Sequence, residues 1–115
     1  MTNDELQIHI KSGTPYPNIY EEDWHETQSI MRTPALPVIC ADGFIMSVQG
    51  SVFAYCSPRN NEGPYTHVEV GYPNRAEPML KPFAENPDNL THTVYGYVPV
   101  TLVLDVINKH GGAKQ

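Results

Sequence analysis

The sequence predicts an α+β domain: a mainly antiparallel sheet of four to five strands with one C-terminal helix packed on a face. Three observations carry this. Two apolar runs flank Asp42-Gly43, the strongest short-range signal of a hairpin. Further short apolar or alternating runs recur at 51–56, 65–72 and 91–97. One cleanly amphipathic helix closes the chain after residue 99. Strands first and a helix last is the element order of an α+β fold.

Residues 1–32 read as a partly ordered N-terminal extension to a single domain at 33–115. Leu6-Gln-Ile-His-Ile10 alternates apolar and polar side chains, as a short strand would. Residues 12–18 are rich in turn formers. Glu21, Glu22 and Asp23 then open a weak helical pattern in which Trp24, Gln28 and Met31 share a face. The hairpin arms are Leu36 to Ala41 and Phe44 to Val48, joined by a type I′ turn with positive φ at both Asp42 and Gly43. Ser51 to Cys56 is a predicted strand and 57–64 a loop. Tyr65 to Tyr72 is the next strand, with Thr66, Val68, Val70 and Tyr72 on one face and His67 and Glu69 on the other.

Residues 73–90 hold four prolines and no periodicity. Met79, Leu80 and Phe83 are expected to pin this loop to the body, and a loop of that length in a small domain is more often functional or disordered than idle. Thr91 to Tyr97 is the last strand, where Tyr95 and Tyr97, two apart, share a face. Pro99 suits the first helical position. Val100, Leu102, Val103, Leu104, Val106 and Ile107 form one arc of the following helix; Thr101, Asp105, Asn108 and Lys109 form the other. Lys109 and His110 suit the negative end of the helix dipole, and Gly111-Gly112 supplies the left-handed stop.

A chain of 115 residues holds one domain. Its hydrophobic fraction of 40% and charged fraction of 17% sit somewhat below the averages of globular domains but are not those of a disordered chain, and eleven prolines imply many fixed turns. The net charge of −6, with seven Lys plus Arg and no basic cluster, argues against direct nucleic-acid binding. No apolar run approaches a membrane span. The opening MTNDELQIHI lacks the basic and apolar regions of a signal peptide, so a cytoplasmic protein with reduced thiols is expected.

The five histidines and two cysteines show none of the close spacings of zinc sites, so neither a metal nor another cofactor is expected. Cys40 reads as a core residue. Cys56 ends a predicted strand in Cys56-Ser-Pro-Arg59, and pairing with the following strand would bring His67 near it. A thiolate beside an imidazole and a guanidinium is a nucleophile, which makes Cys56 and His67 the weak catalytic candidates. The spacing is not that of the Cys-x5-Arg phosphate cradle, and the carboxylates suggest no acid–base pair.

What remains is a surface of aromatic and loop-borne residues. Tyr55, Tyr65, Tyr72, Tyr95 and Tyr97 fall on predicted strands, and Arg59, Asn60, Asn61, Asn74 and Arg75 in the adjoining loops. Tyrosine with arginine and asparagine is the chemistry of a flat polar ligand site, in which rings stack on a base and guanidinium meets phosphate. It is equally that of a protein-binding patch, or of rings packed in the core with hydroxyls at the rim. The candidate binding residues are Tyr55, Arg59, Asn60, Tyr65, Arg75, Tyr95 and Tyr97.

Pro37-Val-Ile-Cys-Ala-Asp-Gly-Phe44, Met46-Ser-Val-Gln49, Tyr55-Cys-Ser-Pro-Arg59, Gly63-Pro-Tyr65, Val68-Glu-Val-Gly71, Val94-Tyr-Gly-Tyr-Val-Pro99 and Lys109-His-Gly-Gly112 are distinctive strings. Through them residues 33–112, about two thirds of the chain, resemble a family of small proteins encoded by phages and prophages. Residues 1–32 lie outside it. The family has no established activity, so the resemblance implies a setting, the cytoplasm of a bacterial host, and no mechanism. By analogy with small phage accessory proteins it implies stoichiometric binding to a host protein, with counter-defence as one role. A nucleotide-like small-ligand binder and a Cys56-dependent enzyme are the alternatives, and homo-oligomerisation stays open.

Overall fold

The computed structural model describes residues 1–12 and 34–114. The weak helix expected at 21–31, and all but the first residue of the loop expected at 12–18, lie outside the described residues. Strands β1 (Val38–Ile39), β2 (Ile45–Gln49), β3 (His67–Gly71) and β4 (Val94–Pro99) follow in chain order across one antiparallel sheet. Helices α1 (Asn3–Ile10) and α2 (Val100–Lys109) cover the same face of it. Leu6 and Ile10 from α1, and Val103, Val106 and Ile107 from α2, share one core with Met46, Val48, Val68, Val70, Tyr95 and Val98.

The sheet edges are covered rather than left open. Beyond α2 the chain doubles back along β1: Ala113 bridges Cys40, Ala41 N–H donates to Gly112 O (2.9 Å) and Lys114 N–H to Ile39 O (2.6 Å). On the far side Ala84 bridges Tyr95 and Glu85 N–H donates to Val94 O (3.0 Å). Covered edges cannot template pairing with other chains. The loop at 73–90 is pinned as expected: Leu80 is fully buried, Met79 and Phe83 pack on the core, and Lys81–Phe83 forms a 3-10 turn.

The alternation at Leu6 to Ile10 does not make a strand. These residues belong to α1, whose start is a capping box. Thr2 Oγ accepts Glu5 N–H (3.2 Å) and Glu5 Oε1 accepts Thr2 N–H (2.9 Å). Leu6 and Ile10, four apart, face the core, while Ile8 is exposed. The Gln7 amide pairs with both backbone groups of Tyr65, donating to its carbonyl (2.8 Å) and accepting its N–H (2.8 Å).

The hairpin forms, but its turn differs from the expected type. Gly43 N–H donates to Cys40 O (3.0 Å), Cys40 N–H to Phe44 O (2.8 Å), and only Gly43 has positive φ (90°). That is a three-residue loop closed by a left-handed glycine. Asp42 Oδ1 accepts Phe44 N–H (2.9 Å), which satisfies the turn without a left-handed Asp42. Ser51 to Cys56 is also not a strand. Ser51 Oγ takes the N–H groups of Phe53 and Ala54 (3.2 Å each) and Asn61 Oδ1 takes that of Val52 (3.2 Å), so side chains hold donors that a ladder would have used. Tyr72 leaves the strand with φ +47° and turns its ring to solvent instead of joining Val68 and Val70.

Pro99 ends β4 and is the N-cap of α2 rather than its first helical residue, so the helix starts at Val100, one residue later than expected; the fixed φ of Pro99 (−57°) suits both states. The stop is a Schellman motif: Gly112 N–H donates to Ile107 O (2.9 Å) and Gly111 N–H to Asn108 O (3.1 Å), with both glycines at φ +92°. It delivers His110 into a clasp. His110 Nδ1 lies 2.6 Å from Asp42 Oδ2 and Nε2 lies 2.8 Å from Glu77 Oε1, while its ring stacks on Phe44 at 4.2 Å. Glu77, 1% exposed, also takes Lys109 Nζ (2.9 Å) and Met79 N–H (2.9 Å), and Arg75 pairs with Asp42 (2.9 Å). Hairpin turn, proline-rich loop and helix end are thereby tied together.

Two outcomes are expected. Leu6→Ala should cost about 2–5 kcal/mol in urea unfolding; a loss near zero would place α1 outside the cooperative core. Burial pushes the Glu77 and Asp42 carboxyls up. Hydrogen bonds from Met79 N–H, Lys109 and His110 to Glu77, and from Phe44 N–H and His110 to Asp42 with Arg75 close by, outweigh it and leave both lowered. Their stabilising contribution is then present above the ordinary values of 4.5 and 3.8 and lost as pH falls through the lower folded values. Unfolding measured from pH 6 to pH 2 should show this acid loss, and Glu77→Gln should flatten it.

Candidate functional site

β3 and β4 pair Val68 with Val98 and Val70 with Tyr95, so Glu69 alone faces both Gly96 and Tyr97. The extra residue in β4 is a β-bulge, a device that re-aims side chains. Tyr97 sits at φ +52°, a left-handed conformation that costs a tyrosine on the order of 1 kcal/mol. The extra residue reverses the parity of the strand. Tyr95 and Tyr97, expected on one face, are split: Tyr95 is fully buried and Tyr97 is 48% exposed.

The loop before β3 brings Tyr55 to the same place. Tyr97 N–H donates to Tyr55 O (3.0 Å), and Tyr55 N–H to Glu69 Oε1 (3.1 Å). Gly96 admits this approach, since a Cβ there would lie 3.3 Å from that of Tyr55. The Tyr55 and Tyr97 rings are 6.1 Å apart, tilted by 35°. The Arg59 guanidinium stands 5.6 Å from the Tyr55 ring centre, within cation–π range, and is held there by bonds from Nε to Val52 O (3.0 Å) and Nη2 to Phe53 O (3.4 Å). Tyr55 is 38% exposed, and Phe53, in the same loop, is 63% exposed. Three expected binding residues, Tyr55, Arg59 and Tyr97, thus form one patch centred on Tyr55, whose N–H is held by Glu69.

The other expected residues lie elsewhere. Tyr65 is buried with its hydroxyl donating to Asn60 O (2.7 Å). Tyr95 is buried with its hydroxyl on Leu90 O, and burial pushes its phenol up. The Asn60 side chain holds its own loop through the N–H groups of Glu62 (2.9 Å) and Gly63 (2.8 Å). Arg75 belongs to the clasp, 5.9 Å from the Phe44 ring centre. His67 pairs with Ser57 rather than Cys56, so alternation directs the buried Cys56 thiol to the core side and half-buried His67 to the other. Cys56 Sγ donates to Ser51 O (3.2 Å) and Pro58 O (3.4 Å), and His67 Nδ1 meets Thr66 Oγ1 (2.9 Å). Among the described residues no three His, Cys, Asp or Glu side chains are placed to hold a metal ion, and no helix is long and apolar enough to cross a membrane.

Glu69 is the patch residue that sequence reasoning passes over. Its place on the outer face of β3 is visible in the alternation, but its bond to Tyr55 spans fourteen residues and leaves no local trace. No family model matches the chain, no curated relative matches it, and no solved structure matches it.

The two faces of β4 should respond differently to truncation. Tyr95→Ala should cost about 3–5 kcal/mol by chemical unfolding. Tyr97→Gly should change stability by less than about 1 kcal/mol or raise it, because relief of the left-handed backbone offsets the lost ring contact. Equal losses would make Tyr97 a core residue. Burial, with Asp42 adding to it, pushes the Cys40 thiol up. Both cysteines should react with an alkylating reagent only on unfolding; rapid alkylation of Cys56 in the native protein at neutral pH would favour a nucleophilic role.

Proposed function

We propose that the protein acts by stoichiometric binding to a partner protein through the Tyr55, Arg59 and Tyr97 surface, as a phage or prophage accessory protein acting on a host protein in the bacterial cytoplasm. The observation that carries this is Tyr97: a strained residue on a bulge, holding a half-exposed ring against a second exposed tyrosine. Strained backbone in an ordered element tends to mark functional positions. Tyrosine and arginine held rigidly at the surface are the anchors of protein interfaces. The phage setting comes from the resemblance of residues 33–112 and from nothing else.

A protein surface suits the patch better than a nucleotide sandwich. An aromatic ligand stacks at about 3.5 Å from each ring, so a slot needs two parallel rings about 7 Å apart. Tyr55 and Tyr97 are closer than that, tilted and packed on each other. Arg59 directs Nε and Nη2 at backbone carbonyls of its own loop, which draws its donors away from a phosphate.

Affinity capture from bacterial host lysate should return a stoichiometric partner. Tyr97→Ala and Arg59→Ala should each weaken capture by about tenfold or more, the range of an interface anchor. Capture unchanged by both substitutions, or no partner from several hosts, would remove the proposal.

A further inference from the structure

The chemistry of the patch narrows what its partner presents. Glu69 is half-buried on the outer face of β3, and its carboxylate makes one hydrogen bond among the described residues, through Oε1 to Tyr55 N–H. The ion pairs among the described residues engage Asp42 and Glu77, and none engages Glu69. One ring of the patch already receives a cation, since Arg59 stands over Tyr55; among the described residues no cation of this chain stands over Tyr97. The register sets Glu69 opposite Gly96-Tyr97, and an exposed tyrosine ring together with a carboxylate oxygen that makes no bond among the described residues attracts cations through both the ring quadrupole and the carboxylate charge. The net charge of −6 acts in the same direction at long range.

From this charge complementarity, and resting on the binding function proposed above, we infer that the partner inserts a basic side chain, arginine or lysine, over Tyr97 and against Glu69. An anionic partner group is the competing occupant, and it would have to use Arg59. That guanidinium is already bonded to the Val52 and Phe53 carbonyls and stands over the Tyr55 ring.

The test is an NMR titration of the full chain with two short peptides blocked at both ends, one containing arginine and one glutamate at the same position. The arginine peptide should shift the Tyr97 and Tyr55 ring resonances and the Glu69 side chain, with an affinity on the order of millimolar. Glu69→Gln, which keeps an acceptor for Tyr55 N–H, should weaken it about tenfold. Unchanged Tyr95 ring resonances would show that the variant keeps its core. Three results overturn the inference: no shift at these rings up to about 10 mM peptide, shifts unaffected by Glu69→Gln, or equal shifts from the glutamate peptide. The outcome is separable from partner capture. A captured partner that Tyr97→Ala releases and Glu69→Gln does not would keep the binding function and reject the basic contact. A specific arginine-peptide response with no captured partner would do the reverse.

Discussion

Val98 has to face the core, because α2 starts at Val100 and must lay Val100, Val103 and Val106 on the sheet without a connecting loop. Tyr95 has to face the core as well, filling it with the largest fully buried side chain among the described residues. Strict alternation cannot place both inside, since they are an odd number of residues apart. The extra residue at Gly96-Tyr97 resolves the conflict. Core packing, the phase of the terminal helix and the outward turn of Tyr97 all depend on that one insertion. Any change that removed the bulge would rotate α2 off its seat or expel Tyr95.

The other end of α2 is held by a different kind of contact. Its Schellman stop aims the chain back along β1 and presents His110 to two carboxylates, Asp42 from the hairpin turn and Glu77 from the proline-rich loop. Both bonds are complete only when both ring nitrogens carry protons. Glu77 is buried, and its oxygens are fully used by Lys109, His110 and Met79 N–H, which is the condition under which a buried carboxylate is tolerated. The clasp closes the loop at 73–90 onto the body, and the doubled-back tail covers the β1 edge that so short a strand would leave open.

The features legible in the sequence are those set by neighbours in the chain. The Asp42-Gly43 hairpin, the β3 alternation and the double-glycine stop of α2 each rest on contacts within a few residues. For α1 the local signal is Thr2-x-x-Glu5, a capping box, and it outweighs the strand-like spacing of Leu6, Ile8 and Ile10. Ser51 to Cys56 has the residue types of a strand, yet Ser51 and Asn61 take its N–H groups. The patch was half legible for the same reason. Residue type identified Tyr55, Arg59 and Tyr97, but grouped them with Tyr65 and Tyr95, whose hydroxyls end on carbonyls inside the domain. Separating them required the parity of β4, and finding Glu69 required a tertiary bond.

The bulge by itself does not require a tyrosine in the left-handed position. Bulges of this kind usually put glycine there, because glycine adopts positive φ without penalty. Here glycine is the neighbour, at 96, where it admits the close approach of Tyr55, and the strained position carries the aromatic ring. Packing of the core explains the inserted residue but gains nothing from the Tyr97 ring, which lies outside the core cluster and half in solvent. What the ring does touch is Tyr55, in a loop held by Arg59 and by the Glu69 carboxylate. The strain is therefore accounted for at the surface: it fixes an aromatic face beside a half-buried charge, in a geometry ordered before any partner arrives. A preordered face loses less freedom on binding than a flexible one, and that is the physical basis for proposing recognition on this side of the sheet.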